Sequence, residues 1–365
     1  MSYKYPVYQP NLNGNEKKYV QECLDSTWIS SKGKFINQFE NHFSEFTGIK
    51  NSIAVSNGTV ALHVALLALG IGKDDEVIVP TFTYIASVNS IHYTGAKPIF
   101  IDSDPITWQI DTKKIEEKIN SKTKAIMAVH IYGHPCDMNE IVRVAKKYKL
   151  FIIEDCAEAI GTFYKGKHAG LFGNISTFSF FGNKAITTGE GGMVITNDNN
   201  LADLCFRIKG QGLAKNQEYF HDIMGYNYRM TNICAAIGCA QLERIDDILI
   251  SKRRVAQNYI DGLNGLPVEY QKEIGDLKNS YWMFTILSNS EKERTELRKY
   301  LKENGIETRP TFHPIHTMPM YNSGEKFEVA EDLGKRGINL PSYPDLLETD
   351  IKFITDKIKK FYGEH

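Results

Sequence analysis

The acid Asp155 and the amine Lys184 are the two side chains of this sequence whose types and surroundings best suit joint chemistry. Asp155 ends an apolar run that begins at Leu150, and Lys184 lies in a loop rich in glycine, serine, threonine and aromatic residues. A lysine amine can form a Schiff base with an aldehyde, and a carboxylate can keep a pyridine nitrogen protonated so that the ring accepts electrons. Pyridoxal phosphate (PLP) needs both groups. The pair therefore predicts a PLP site, with Lys184 as attachment point and proton carrier and Asp155 as partner of the ring nitrogen.

A candidate phosphate site lies earlier in the chain, in the segment Ser-Asn-Gly-Thr at residues 56–59. This segment separates a strand-like run from a helix-like run, and the free N–H groups and dipole of a helix start favour an anion. Gly58 has no side chain, so the backbone can approach a phosphate closely. Taken alone, the segment could be an ordinary helix cap. Beside the acid and the lysine, we predict that Gly58 and Thr59 hold the phosphate and that Ser179, shortly before Lys184, adds a hydroxyl.

The pattern of apolar and polar residues predicts the elements that position these groups. Strands are predicted at residues 53–55, 76–79, 98–102, 125–130, 150–155, 176–180 and 192–197, and helices at residues 60–69, 85–93, 112–118 and 138–148. Such alternation is typical of an α/β fold with a mostly parallel sheet, whose ligands bind beyond the carboxyl ends of the strands. A long charged helix is predicted at residues 235–263. Beyond it, the pattern predicts a strand at residues 281–287 and helices at residues 291–304 and 350–362.

Composition narrows the class of protein. The chain has 365 residues, of which 42% are hydrophobic, and this is enough for a large core. Its net charge of −1 gives no reason to expect nucleic acid or a membrane surface as a partner, and we see no apolar stretch that could span a bilayer. The six cysteines form no Cys-x-x-Cys pair, so reduced thiols and a cytoplasmic location are expected. Metal binding by Cys136 or Cys156 is possible in principle, but no His/Cys cluster supports it, and no metal is expected.

Several separated motifs, in one order along the chain, resemble the DegT/DnrJ/EryC1/StrS family of sugar aminotransferases, a branch of the fold-type-I PLP enzymes. The likeness is carried by residues 6–10, 26–33, 80–87, 130–138, 225–232 and 307–310, as well as by the segments around Asp155 and Lys184. It implies a large PLP-binding domain at residues 1–250, with a mostly parallel mixed sheet between helices. It also implies a smaller C-terminal α+β domain at residues 251–365.

The resemblance also implies a reaction. Within the family the chain is most similar to enzymes that aminate C4 of GDP-4-keto-6-deoxy-D-mannose with L-glutamate as donor, for O-antigen or a similar surface polysaccharide. Three alternatives stay open: a UDP- or dTDP-linked keto sugar as acceptor, a PLP-dependent sugar dehydratase, and a non-catalytic regulatory protein on the same scaffold. Such dehydratases carry histidine where Lys184 stands, so the lysine argues against the second. The intact set of Asp155, Ser179 and Lys184 argues against the third.

Two more cofactor contacts follow from the resemblance. It implies that Tyr84 lies against the cofactor ring, although a tyrosine of the core is the alternative. Glu158 stands where the family commonly has glutamine or histidine in contact with the phenolic oxygen of PLP. A carboxylate would repel a phenolate there unless the carboxyl is protonated or turned toward another donor.

Assembly and substrate contacts are implied in the same way. The resemblance implies that Asn227 reaches the phosphate of the neighbouring subunit's cofactor, which makes the protein a homodimer with shared active sites; whether dimers pair into tetramers is left open. A plain turn asparagine is the alternative. Arg309, His313 and His316 resemble the segment that lines the sugar-nucleotide cleft, and solvated histidines on a Pro-rich loop are the alternative.

Overall fold

The computed structural model describes residues 3–322 and 324–363. Its helices are α1 (Glu16–Asp25), α2 (Lys34–Thr47), α3 (Gly58–Ala68), α4 (Ile85–Tyr93), α5 (Met138–Tyr148), α6 (Asn199–Lys209), α7 (Asn232–Leu242), α8 (Ile245–Gly262), α9 (Glu291–Glu303), α10 (Glu328–Arg336) and α11 (Glu348–Phe361). Its strands are β1 (Asn51–Val55), β2 (Glu76–Pro80), β3 (Lys97–Ile101), β4 (Thr123–Val129), β5 (Phe151–Asp155), β6 (Phe163–Tyr164), β7 (Lys167–His168), β8 (Ile175–Ser179), β9 (Gly192–Thr196), β10 (Glu269–Tyr270), β11 (Leu277–Lys278), β12 (Phe284–Leu287), β13 (Arg309–Pro310) and β14 (Gly337–Leu340).

A seven-stranded sheet forms the centre of the described structure, in the order β1-β9-β8-β5-β4-β2-β3. Its neighbours pair in parallel from β3 to β8, and β9 runs antiparallel to both β8 and β1. The strands in the middle of the sheet are buried on both faces, as expected for a sheet covered by helices on each side. The predicted α/β class and the predicted strands are thus confirmed.

Side chains alternate between the two faces of the sheet and feed two hydrophobic clusters. In β1, Ile53 and Val55 point into the cluster under α3, whereas Ala54 points into the cluster under α2 and α7. The second cluster contains edge-to-face phenylalanine pairs, including Phe43 against Phe178 with ring centroids 5.0 Å apart. Helices therefore pack against both faces of the sheet and fix the positions of its strand ends.

The C-terminal part builds a second sheet in the order β10-β12-β14-β13, whose strands are paired antiparallel. Its core includes Tyr259 from α8 and Phe284 from β12, which stack with ring centroids 5.0 Å apart. Tyr5 joins this core through a parallel bridge to Ile306. A small third sheet has the order β11-β6-β7. The division into domains at residues 250 and 251 stays a prediction; α8 crosses that point, and Tyr5 packs with the C-terminal sheet.

Two predicted helices were wrong in detail. Residues 112–118 form two 3-10 helices, Thr112–Lys114 and Glu116–Lys118, in place of one α-helix. Asp111 caps the first by accepting a hydrogen bond from the N–H of Lys113 at 3.1 Å, and at Ile119 the backbone is already extended. So short a segment cannot offset the cost of helix nucleation without a larger packed face.

The predicted helix at residues 235–263 is interrupted between α7 and α8. Arg244 has φ −121° and ψ 14°, outside the helical region. Its guanidinium donates to Asn11 at 2.8 Å, and the carboxylate of Glu243 accepts hydrogen bonds from Asn15 and Tyr19. Contacts to a distant part of the chain therefore hold the break, and the local sequence contains no glycine or proline that would signal it.

Two observations bear on the composition. All six cysteines are free thiols, and five of them are buried. A chain of this length can form a stable core without disulfides. Among the described residues, no helix combines the length and the apolar character that a bilayer crossing requires.

Candidate active site

The carboxyl ends of the central strands surround a cavity of about 490 Å³. Asp155 ends β5 and Ser179 ends β8, its parallel neighbour, so the two side chains meet at one edge of the sheet. The cavity is lined by most of the residues predicted as cofactor contacts: Gly58, Thr59, Tyr84, Asp155, Glu158, Ser179 and Lys184. The fold thus brings together groups that lie far apart in the sequence.

Asp155 is buried, and both of its carboxylate oxygens accept hydrogen bonds. The Ser87 hydroxyl donates to Oδ2 at 2.7 Å, and the N–H of Ala157 donates to Oδ1 at 3.0 Å. Burial raises the pKa of Asp155 above its ordinary value, and these hydrogen bonds together with the charge of Lys184 oppose the rise. A buried carboxylate of this kind is suited to a cationic partner such as a protonated pyridine nitrogen.

The Lys184 amine lies between an acid and an aromatic face. Its Nζ atom is 3.9 Å from Oε1 of Glu158 and 3.9 Å from the ring centroid of Trp282. Burial lowers the pKa of Lys184, while Glu158 and Asp155 oppose that change. The shift increases the fraction of neutral amine, which is the form that attacks a carbonyl carbon.

Glu158 meets one condition under which a carboxyl is tolerated at its position, because it is turned toward another donor. Its Oε2 atom accepts a hydrogen bond from the N–H of Tyr132 at 2.8 Å. Burial raises the pKa of Glu158 to about 7, against the attraction of Lys184. The other oxygen, Oε1, lies 3.9 Å from the Lys184 amine.

The start of α3 fits an anion. Asn57 caps the helix by accepting a hydrogen bond from the N–H of Val60 at 3.0 Å. Within the described part of the chain, no hydrogen bond uses the N–H groups of Gly58 and Thr59. A Cβ atom on Gly58 would lie 2.8 Å from the Cβ atom of Ser179, so only glycine allows the helix start and the serine to approach this closely. The two free donors and the serine hydroxyl can hold a phosphate.

An aromatic wall closes one side of the cavity. Tyr84 is 56% exposed and lines the cavity, which argues against the alternative of a core tyrosine. Its ring tilts against Phe312 at 5.6 Å between centroids. Phe312 in turn stacks on Tyr132 at 5.5 Å, and Tyr132 stacks on Trp282 at 6.1 Å. A planar ligand can therefore contact Tyr84 from the open side.

Asn227 lies outside the cavity of its own chain. Its side chain is exposed, and Oδ1 accepts hydrogen bonds from Nε and Nη2 of Arg229 at 3.1 and 2.9 Å. Arg229 thereby orients the asparagine on the surface. The role of Asn227 at a partner's phosphate stays a prediction.

The three residues predicted to contact substrate also lie outside the cavity as described. Arg309 is exposed and forms an ion pair with Glu307 at 2.7 Å, and His313 is exposed. His316 is buried, with Nδ1 2.7 Å from the Thr81 hydroxyl and Nε2 3.4 Å from Glu331. For His316 the geometry favours a structural role, whereas contact of Arg309 and His313 with substrate stays a prediction.

Sequence reasoning missed three residues that shape the site: Ser87, Phe312 and Trp282. Ser87 ends the motif at residues 80–87, but the motif gave it no role. Trp282 lies in the predicted strand 281–287, where no motif marks it. Their roles arise only when separate elements pack together.

The structure also gathers His130, Glu154 and Cys156, whose potential ligand atoms lie within 4.8 Å of one another. The N–H of Cys136 donates to Nδ1 of His130, so Nε2 carries the proton and donates to Glu154 at 3.1 Å. Backbone N–H groups of Gly170, Phe172 and Gly173 saturate the Glu154 carboxylate. These hydrogen bonds satisfy His130 and Glu154. The cluster is therefore explained as a buried structural network next to Asp155.

Comparison with known proteins agrees with this geometry. The profile of the DegT/DnrJ/EryC1/StrS aminotransferase family matches residues 10–359, and the chain belongs to this family. The GDP-perosamine synthase of Escherichia coli O157:H7 is 61% identical over 360 residues, which cover 98% of this chain and 99% of that protein. The GDP-perosamine synthase of Vibrio cholerae is 51% identical over 363 residues, with 98% and 99% covered.

A solved structure shows the same fold. The aminotransferase from Psychrobacter cryohalolentis superposes with a TM-score of 0.92 at 31% identity, and the match covers 98% of this chain and 99% of that one. The resemblance drawn from the motifs and the fold-type-I aminotransferase architecture are both confirmed.

Proposed function

We propose that this chain is a PLP-dependent nucleotide-sugar aminotransferase. It moves the amino group of L-glutamate to C4 of GDP-4-keto-6-deoxy-D-mannose and forms GDP-perosamine and 2-oxoglutarate, for O-antigen or a related surface polysaccharide. The observation that carries the proposal is the burial of Lys184 and Asp155 in one cavity beside the free N–H groups at the start of α3. The identity of 61% to a GDP-perosamine synthase over nearly the full length supports the choice of substrate.

The residues of the cavity fit PLP, each with its own role. When bound, PLP supplies an electron sink for the charge left after a proton is removed from the carbon next to nitrogen. Asp155 would keep the ring nitrogen protonated, and Gly58, Thr59 and Ser179 would hold the phosphate through two N–H groups and a hydroxyl. Tyr84 would contact the ring.

Lys184 has two tasks in this mechanism. Its Nζ atom would hold the cofactor between reactions, and as a free amine it would carry a proton from one carbon to another. Burial lowers the pKa of Lys184, so the released amine is ready to accept that proton. Glu158, with Oε1 3.9 Å from the amine, supplies a nearby acid whose pKa burial raises to about 7.

The remaining alternatives differ in the product that they predict and in the nucleotide of the sugar that reacts. The pure protein is incubated with PLP, L-glutamate and, in separate reactions, GDP-, UDP- and dTDP-linked 4-keto-6-deoxy sugars. We expect the GDP sugar to give a 4-amino sugar and an equal amount of 2-oxoglutarate, measured by mass spectrometry. Preference for a UDP or dTDP sugar would correct the substrate. Loss of water from the sugar without an amino product would indicate a dehydratase, and absence of any turnover would indicate a non-catalytic protein.

We also propose that the protein is a cytoplasmic homodimer with shared active sites. The exposed position of Asn227, outside its own cavity, supports this assembly. The preceding loop carries large apolar side chains that are exposed in the single chain: Tyr219 (93%), Phe220 (48%) and Met224 (83%). Such a patch is typical of a protein interface. Light scattering would report a dimer or a tetramer, and a monomer that is fully active would contradict the shared site.

A further inference from the structure

We propose that Trp282 is a positioning residue for Lys184, which it holds in place from the C-terminal part of the chain. This inference rests on the proposed function, because it concerns the step in which the released amine carries a proton.

Trp282 contacts the lysine segment at two points. The face of its ring lies 3.9 Å from Nζ of Lys184, measured from the ring centroid. Its indole N–H donates to the backbone carbonyl of Asn183 at 2.7 Å. The Trp282 side chain thus restricts both the Lys184 amine and the backbone of its loop. It opposes movement of either one.

Trp282 is itself held firmly. It is 5% exposed and stacks nearly parallel with Tyr132 and Phe312, at 6.1 and 6.4 Å between ring centroids. Its backbone carbonyl accepts a hydrogen bond from the buried amine of Lys252 at 2.9 Å. Because the Trp282 ring and the Trp282 backbone are both held in place, the face of the ring can restrict the flexible Lys184 side chain.

Tyr8 supplies a matching contact from the other end of the chain. Its hydroxyl donates to the backbone carbonyl of Lys184 at 2.5 Å, next to the carbonyl that Trp282 engages. The amine of Lys252 lies 5.3 Å from the centroid of the Tyr8 ring. Tyr8 and Trp282 therefore donate hydrogen bonds to two consecutive backbone carbonyls, those of Lys184 and Asn183. The Lys252 amine contacts both aromatic residues.

The position of the amine follows from these contacts. An aromatic face attracts an ammonium group, and Oε1 of Glu158 attracts it from another direction at the same distance of 3.9 Å. Proton transfer requires the amine to stay within about 3–3.5 Å of its target atom, so loss of orientation lowers the rate more than it lowers affinity.

The test uses Trp282→Leu, which removes the ring and the donor, and Trp282→Phe, which keeps a smaller ring and loses the donor. Trp108→Phe is the control, because Trp108 is buried in the core and does not line the cavity. Two rates are measured: the binding of PLP to Lys184 in cofactor-free protein, followed by absorbance, and the half-reaction with L-glutamate under single-turnover conditions. Neither rate depends on the choice of nucleotide sugar.

We expect Trp282→Leu to lower both rates by about tenfold or more, because it removes the ring face beside the amine and the hydrogen bond to the Asn183 carbonyl, so that the amine loses its orientation. The KM for glutamate should stay within about twofold, and Trp282→Phe should fall between Trp282→Leu and wild type. The control should match wild type.

Rates of Trp282→Leu close to those of wild type would overturn the proposal, as would a raised KM with unchanged kcat, which would mark Trp282 as a substrate contact. If Trp282→Leu does not fold, Trp282→Phe decides alone: unchanged rates in that variant overturn the proposal. Wild-type protein that binds no PLP would instead refute the proposed function.

Discussion

Ser87 on α4 donates a hydrogen bond of 2.7 Å to Asp155 at the end of β5. The helix start near the carboxyl edge of the sheet therefore fixes the orientation of the carboxylate. The N–H of Ala157 donates to the other oxygen, so the two hydrogen bonds fix the orientation of the Asp155 carboxylate before any ligand binds. This preorganisation is what a carboxylate needs to keep a ring nitrogen protonated throughout a reaction.

Asp155→Asn should keep the fold and still bind PLP, but lose most activity. The amide cannot hold the ring-nitrogen proton, and we expect the glutamate half-reaction to slow by several hundredfold, or a few kcal/mol. Single-turnover absorbance measures this rate. Ser87→Ala, which removes one hydrogen bond to the carboxylate, should slow it by only about tenfold. A loss of less than about fivefold in Asp155→Asn would show that the carboxylate is not the partner of the nitrogen.

Lys184→Ala should abolish transamination while the fold is kept, because the phosphate and ring contacts do not depend on the amine. Formation of 2-oxoglutarate with the GDP sugar measures activity, and circular dichroism measures the fold. Lys124→Ala on β4, where the side chain is exposed, is the control and should behave as wild type. Turnover of Lys184→Ala within tenfold of wild type would exclude the assigned role.

Gly58→Ala should weaken PLP binding, because the new methyl group would lie 2.8 Å from the Cβ atom of Ser179 and force the phosphate site apart. We expect the Kd for PLP to rise by about tenfold or more, on the order of one lost hydrogen bond to a charged group. Gly72→Ala is a control outside the site, because a Cβ atom there makes only an ordinary contact, 3.8 Å from the backbone oxygen of Thr94. Titration of the cofactor-free proteins with PLP gives both Kd values, and equal affinities would refute the proposed phosphate site.

Glu158→Gln should change how stability depends on pH. Because burial raises the pKa of Glu158 from 4.5 to about 7, the folded protein keeps a proton that the unfolded chain releases. The stability gained from this proton is full below about pH 4.5 and is lost as pH rises through 7. The glutamine cannot titrate, so the variant should gain stability relative to wild type between pH 5 and 8, by up to about 3 kcal/mol.

Urea unfolding of the cofactor-free proteins at several pH values measures this difference. Lys184 and Asp155 are the charged groups that act on this carboxyl. Glu45→Gln, at an exposed glutamate on α2, serves as the control. A difference between Glu158→Gln and wild type that does not vary with pH would contradict the raised pKa.

Mixing two variants tests whether Asn227 serves the partner's phosphate. In a dimer of Asn227→Ala with Lys184→Ala, one site would carry both defects and the other would be intact. We expect activity to recover toward half of wild type per mixed dimer after subunit exchange. The loss of one phosphate hydrogen bond costs only about 1.5–3 kcal/mol, so the assay belongs at low PLP concentration. Weakened PLP binding in Asn227→Ala without recovery on mixing would place Asn227 in its own subunit's site.

The sequence predicted those features that depend on neighbouring residues. The strand before Asp155, the helix start at Gly58 and the loop around Lys184 all carry local signals, and the strand ends converge because parallel strands share one edge. The break between α7 and α8 could not be predicted in this way, since it depends on contacts such as the hydrogen bond that the Asn15 amide donates to Glu243, 228 residues away in the sequence. The same holds for Trp282, whose contact with Lys184 exists only in the folded chain.

The parallel bridge between Tyr5 and Ile306 has a consequence for the order in which the protein matures. A ribosome that adds about 5–20 residues per second completes Ile306 roughly 15–60 s after Tyr5. Until then Tyr5 has no strand partner. The strands of the central sheet end at Thr196, so this sheet can form earlier in translation, whereas the loop around Lys184 gains its contact with Trp282 only after residue 282 has been synthesised.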